Sequence, residues 1–254
     1  MTLPDALREH GVELDSALDA RSQLESAAAY LELHIEQGPV LESLDLPLGA
    51  VLGTFGVERH RVTWRGQAAH AGSTPMDQRR DALAGASKLA LEIREIAART
   101  GDGAVCTSGG VVCKPGIVTS VVETAEQLLD QRHLDGERLA SLLEQAKEAS
   151  MRFAAEEDIE VKWERLWSIE PILFDETLIG FCDEAVREVA GTSHKLPSGP
   201  LHDAAEIARA GIPTVMLFVQ SLRGLSHTKR EDTREEHLEL AVRALDRLAS
   251  KTIG

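Results

Sequence analysis

Apolar residues recur with two different periods along this chain, and the places where the period changes outline its elements. Residues 2 to 33 are rich in Ala, Leu and Glu at helical spacing, interrupted near Asp15 to Asp19, which predicts a mostly helical stretch leading into YLELHIEQGPVLE. From Val51 to Trp64 the texture shifts to short apolar or alternating runs, AVLGTFGV and RHRVTWRG, broken by glycines as strands are. TPMDQRRDALAGASKLALEIREIAART predicts a long helix, with Asp77 as its N-cap and Ala82, Ala86, Leu89, Ile93 and Ile96 on one face, ending before Gly101. The β-branched, Gly-rich stretch from Gly103 to Ser120, the amphipathic ERLASLLEQAKEASMRFAAEE and the strand-like DIEVKWERLW follow. The expected order is therefore strand, helix, strands, helix, strand.

Beyond Pro171 the grammar changes again. A helix near 175 to 190 precedes SGPLHDAAEIARAG, the apolar strand IPTVMLFV and the closing helix TREEHLELAVRALDRLA, where Thr233 and Glu236 have capping-box spacing. An apolar strand between helices, with Gly211 ending the first of them, is the pattern of an α/β sheet. The fold class expected is α/β, with a compact α+β module at 56–168 inserted between two pieces of one α/β domain, 1–55 and 169–254.

Composition narrows the classes of function. With 254 residues and 43% apolar content the chain can bury a sizeable core. A formal charge of −15 argues against a nucleic-acid partner, since clustered Lys and Arg would be needed to displace counterions. No apolar run approaches the ~20 residues of a membrane span, and MTLPDALREHG lacks the pattern of a signal peptide, so no membrane partner and a cytoplasmic location are expected. Cys106, Cys113 and Cys182 form no C-x-x-C pair and read as reduced thiols.

Four histidines stand beside small residues or glycine turns: His34 in LHIEQG, His70 in AAHAGSTPM, His202 in SGPLHDA and His227 in GLSHT. Neutral imidazole is the commonest metal ligand, and small neighbours let an ion or a substrate approach the backbone. His10, His60, His133, His194 and His237 lie in polar, charged or helix-face settings and carry the ordinary structural reading.

The segments LELHIEQGPVLE, WRGQAAHAGSTPMDQRRDAL, LDQRHLD, LPSGPLHDA and RGLSHTKREDT, in this order, resemble the metal-dependent amidohydrolase family of aminoacylases, N-carbamoyl-L-amino-acid hydrolases, β-ureidopropionases and allantoate amidohydrolases. The resemblance implies a partial zinc-peptidase-like α/β catalytic domain with an inserted, ferredoxin-like lid and dimerisation domain. It implies His34 and His227 as metal ligands on two different ions of a site that accepts Zn, Mn, Co or Ni. Gln37, Arg132, His202 and Gly224 match substrate-contacting positions, and Arg132 matches the arginine that grips a carboxylate, a task suited to a planar guanidinium. His70 matches the lid histidine that stabilises an oxyanion in the partner subunit's site, which requires a homodimer through the inserted domain. Without the resemblance, Arg132 could be a surface strand residue paired with Asp130 or Asp135, and Asp203 reads as a helix N-cap as readily as an outer partner of a ligand.

The implied reaction is hydrolysis of a linear C–N bond in an N-carbamoyl-amino acid or related ureido substrate by activated water. Three departures qualify it. Thr119 stands where the family has an Asn, Pro200 and Leu201 replace two small residues before His202, and the family's front His, bridging Asp and Glu-Glu pair have no counterpart ahead of His34. Glu156 and Glu157 fall on a solvated helix of the inserted module and do not substitute. Glu36 is left out of the ligand set, on the ground that strand neighbours alternate faces. The chain by itself is expected to be inactive, and the alternative is a non-catalytic dimeric relative that binds a carboxylate-bearing small molecule.

Overall fold

A computed structural model describes residues 1–254, the side chains of Ala20 and Gln23 apart. The chain opens with α1 (Leu3–Glu9) and a 3-10 run (Leu14–Ser26), then β1 (Tyr30–Ile35), α2 (Val40–Ser43) and β2 (Leu48–Thr54). Next come β3 (Gly56–Arg65), β4 (Ala69–His70), α3 (Ala82–Thr100), β5 (Val105–Lys114), β6 (Ser120–Val121), β7 (Thr124–His133), α4 (Gly136–Glu156), β8 (Glu160–Ile169) and β9 (Ile172–Leu173). The last part holds α5 (Glu176–Ala190), β10 (Lys195–Ser198), α6 (Asp203–Arg209), β11 (Thr214–Val219) and α7 (Glu235–Ile253). Two compact units result: Met1–Leu52 with Phe174–Leu196 and His202–Gly254, and Gly53–Leu173 with Pro197–Leu201.

In the first unit β1 runs parallel to β11, from Tyr30 opposite Thr214 to Ile35 opposite Val219, and β11 pairs antiparallel with β2. All six residues of β11 are buried, which accounts for its continuous apolar run. Helices α5 and α7 pack on each other and on β11, and Val51, Cys182, Val186, Met216, Phe218, Ala244 and Leu248 make the core. Residues 30–33, expected as the end of a helical stretch, are strand instead. YLELHI alternates with period two, and pairing along β11 overrides the local Ala/Leu/Glu helix preference. The expected capping box at Thr233 is also absent: Arg234 occupies the N-cap of α7 and makes no side-chain cap bond.

The second unit carries a four-stranded antiparallel sheet in the order β5-β7-β3-β8, with α3 and α4 packed on it. Strand, helix, strands, helix, strand is the order anticipated from periodicity, with the short ribbon β4-β6 added. The helix face named from spacing, Ala82, Ala86, Leu89, Ile93 and Ile96, is buried throughout. Its cap differs: Asp81 accepts the amide N–H groups of Leu83 and Ala84, while Asp77 sits in a separate 3-10 turn, Met76–Gln78. Gly85 is required where α3 crosses Trp64, because a Cβ there would come within 2.8 Å of the indole. Trp64 is fully buried and donates to Gln127 Oε1 (3.2 Å), and Trp163 donates to Ser150 Oγ (2.9 Å). Both, with Trp167, make up the tryptophan complement, whereas the single tyrosine, Tyr30, belongs to the first unit.

Candidate metal centre and neighbouring loops

Strand alternation builds the centre. Along β1, Tyr30, Glu32 and His34 share one face and Leu31, Leu33 and Ile35 the other. His202 ends the loop before α6 and occupies that helix's N-cap position. Donor atoms of Glu32, His34 and His202 lie within 4.8 Å of one another, and all three side chains are partly buried. The imidazoles of His34 and His202 have centroids 4.3 Å apart, and His202 meets Phe218 edge-on at 5.9 Å.

Several contacts prepare this trio for a cation. The His34 Nδ1–H donates to the Ile35 carbonyl at 2.7 Å, so the proton sits on Nδ1 and Nε2 offers its lone pair. His202 is pushed down to about 4, first by burial and then by the neighbouring His34, against the pull of Asp203, and so it is neutral at pH 7. Glu32 accepts the amide N–H of Ala204 in the first turn of α6 (2.8 Å) and a hydrogen bond from the Tyr30 phenol. Burial and the Glu32 charge raise the Tyr30 phenol. Two imidazoles and a carboxylate are the donor set of many catalytic zinc sites, which keep a fourth position open. The residues therefore fit the divalent ion that the resemblance implies.

Glu32 escaped the sequence reading, although its spacing of two from His34 on an alternating strand is a usable signal. Alternation does not set Glu36 apart from His34, since residues 34 and 36 share parity. The strand stops at Ile35, and the buried Glu36 carboxylate turns to accept the N–H groups of Val40 (2.7 Å) and Leu41 (3.0 Å) at the start of α2. Burial raises its pKa and those two amides oppose the rise. Asp203 is not the N-cap but the first residue of α6, and Glu32 does the capping.

His227 is not part of the trio. It sits exposed on the loop after the 3-10 turn Leu222–Gly224, with φ of 55°, and its N–H donates to Glu231 Oε2 (2.9 Å). The other oxygen of Glu231 accepts from the Gln37 side-chain amide at 3.3 Å, so Glu231 joins the two loops. Glu42 adds a second tie by accepting the Arg223 N–H (2.8 Å). Gly224 has φ of 58°, and a Cβ there would lie 2.9 Å from the Pro39 nitrogen, which explains the glycine without a ligand.

In the second unit, His70 is exposed and its Nδ1 accepts the Gly72 N–H (3.1 Å), leaving an Nε2–H donor. Arg79 steadies that loop through the carbonyls of Ala71 (2.6 Å) and Thr74 (3.2 Å). Arg132 is held by Asp130 and by the Gly199 carbonyl. Glu156 and Glu157 both pair with Lys88 at 2.7 Å, which gives them a structural use.

β1 thus supplies Glu32 and His34 of the trio, and the loop before α6 supplies His202. Residues 9–251 match the model of Peptidase family M20/M25/M40, and the chain belongs to that family. It is 34% identical over 236 residues to an N-carbamoyl-L-amino acid amidohydrolase of Geobacillus stearothermophilus, covering 93% of this chain and 57% of that protein. It is 33% identical over 242 residues to an allantoate amidohydrolase of Escherichia coli (strain K12), covering 95% and 58%. The crystal structure of an amidase of the hydantoinase/carbamoylase family from Burkholderia multivorans superposes with a TM-score of 0.82 at 32% identity, over 89% of this chain and 55% of that one. A second such amidase, from Burkholderia phymatum, gives 0.78 at 30% over 98% and 64%. The chain thus spans a little over half the length of these relatives. No helix among the described residues is long and apolar enough to cross a membrane.

Proposed function

We propose that this chain is the ion-binding and substrate-gripping portion of a metal-dependent amidohydrolase that cleaves a linear C–N bond in an N-carbamoyl-amino acid or a related ureido substrate. The observation that carries the reading is the Glu32, His34 and His202 trio within 4.8 Å, in a chain whose family relatives include amidohydrolases of that kind. When bound, a divalent ion supplies Lewis acidity that polarises a carbonyl and acidifies water.

The protein's own groups then have distinct tasks. His34 presents Nε2 to the ion, Glu32 neutralises part of its charge, and His202, uncharged, completes the set or meets the substrate beside it. His227 serves a second ion, with Gln37 and Gly224 on the two loops, joined through Glu231, that face the substrate. Arg132 takes the substrate carboxylate. His70 offers an Nε2–H to a developing oxyanion, the proton position that its Nδ1 contact with Gly72 favours. Delivered to the site of a second copy, that donor makes a homodimer through the 56–168 module part of the proposal. Zn, Mn, Co and Ni all suit imidazole and carboxylate donors.

The test is to titrate the chain with Zn(II) and Co(II), then to assay ammonia release from N-carbamoyl-L-amino acids and from allantoate. Tight ion binding lost in His34→Ala supports the centre, and turnover supports the hydrolase. Ion and carboxylate binding without turnover matches a chain that is inactive by itself and supports the centre alone. No ion binding at micromolar concentration overturns the centre.

A further inference from the structure

Arg132 is not a free cation waiting for a ligand. Asp130 grips one edge of its guanidinium, Nε to Oδ1 at 2.6 Å and Nη2 to Oδ2 at 3.1 Å, and the Gly199 carbonyl accepts from Nη1 at 2.8 Å. Asp130 is itself shared: Arg59 Nε donates to Oδ2 at 2.7 Å. The register lines these groups up, with Arg59 on β3 opposite both Asp130 on β7 and Trp167 on β8, and the Arg59 guanidinium lies over the Trp167 ring at 5.1 Å. Burial works against a charged Asp130, but the hydrogen bonds from Arg132 and Arg59 outweigh it and hold the carboxyl below its ordinary range. Two guanidinium charges and one carboxylate leave one net positive charge, on a chain of formal charge −15.

A guanidinium has five N–H donors. Three are used here, one on each nitrogen, which leaves one on Nη1 and one on Nη2. With the Nε–Nη2 edge taken by Asp130, the donors left for a second carboxylate are one on each Nη nitrogen.

We propose that Asp130, backed by Arg59, is a positioning residue that aims the remaining Nη1 and Nη2 donors of Arg132 at the carboxylate of the substrate. This rests on the reading of Arg132 as the carboxylate grip. Charge and position predict opposite signs when Asp130 is neutralised. Removing a negative charge beside Arg132 strengthens anion binding if only the local potential matters. Losing the partner that orients the fork weakens it, by about tenfold on the scale seen when a partner that orients a binding group is removed.

The experiment uses the full chain with N-carbamoylglycine and its uncharged amide as probes, measured by calorimetry, with the Arg132 Nε–H signal followed by NMR. Asp130→Asn is expected to bind the acid about tenfold more weakly and to leave the amide unaffected. It is also expected to broaden or shift the Nε–H signal, with partial recovery in Asp130→Glu. Unchanged or tighter binding of the acid in Asp130→Asn, or an unaltered Nε–H signal, overturns the positioning role while leaving Arg132 as the grip. If Arg132→Ala keeps its preference for the acid over the amide, or the parent chain shows none, the grip itself falls and this proposal with it.

Discussion

His34 and His227 looked alike in the sequence, each an imidazole beside small residues, yet the fold treats them differently. His34 stands on a strand that is paired along its whole length, and its ring is fixed by the Ile35 carbonyl beside Glu32 and His202. His227 rides an exposed loop in the left-handed region, held by its backbone N–H to Glu231. A sheet fixes side-chain direction through pairing, whereas a loop needs local ties to do so. The strand supplies a preorganised donor, and the loop supplies one that awaits a partner.

The most direct way to break this contrast is at the strand. His34→Ala is expected to weaken Zn(II) or Co(II) binding by more than the ~10–100-fold that loss of an outer partner costs, while His227→Ala leaves this first ion's affinity unchanged; calorimetry on both variants decides. Glu32→Gln sharpens the same point. The amide oxygen can still cap α6, so helix stability should hold while ion affinity drops by ~10–100-fold, checked by titration and circular dichroism together. At the loop, Gly224→Ala should lower stability by about 1–3 kcal/mol in urea denaturation, from positive φ and the approach to Pro39, without abolishing the ion site.

Acidification is the mildest probe. His202 in one unit and His60 in the other are both pushed down to about 4, and burial is the first cause in each. Between about pH 6.5 and pH 4 the unfolded chain binds protons at these rings that the folded chain does not. Stability contributed by the neutral histidines is therefore present above pH 6.5 and lost on the way down to pH 4, by on the order of 1 kcal/mol each. For the ion-free protein, denaturation midpoints at pH 7 and pH 5 test this. His60→Gln should flatten part of the loss, and an unaltered slope counts against it.

Long elements were legible because their periodicity and their burial agree. The face of α3, the order of elements in the second unit and the apolar run of β11 could all be read from spacing. Residues 30–33 could not, since four residues, Tyr-Leu-Glu-Leu, at the end of an Ala/Leu/Glu-rich stretch show too little alternation until β11 is there to pair with them. Caps slipped for a related reason: Asp77 and Asp81 both precede α3, and only the backbone turn at Met76–Gln78 selects the second. At the site, histidines announced themselves by their glycine neighbours. Glu32, Asp130 and Glu231 did not, because an acidic residue acquires its meaning from what stands across from it in space.

The placement of the aromatic residues has a practical consequence for watching this molecule. With Trp64, Trp163 and Trp167 in one unit, tryptophan emission reports on that unit and leaves the other dark. Tyr30, whose raised phenol adjoins Glu32, is the native optical probe of the ion-binding strand, so tyrosine absorbance and tryptophan fluorescence should act as two separate gauges on one chain.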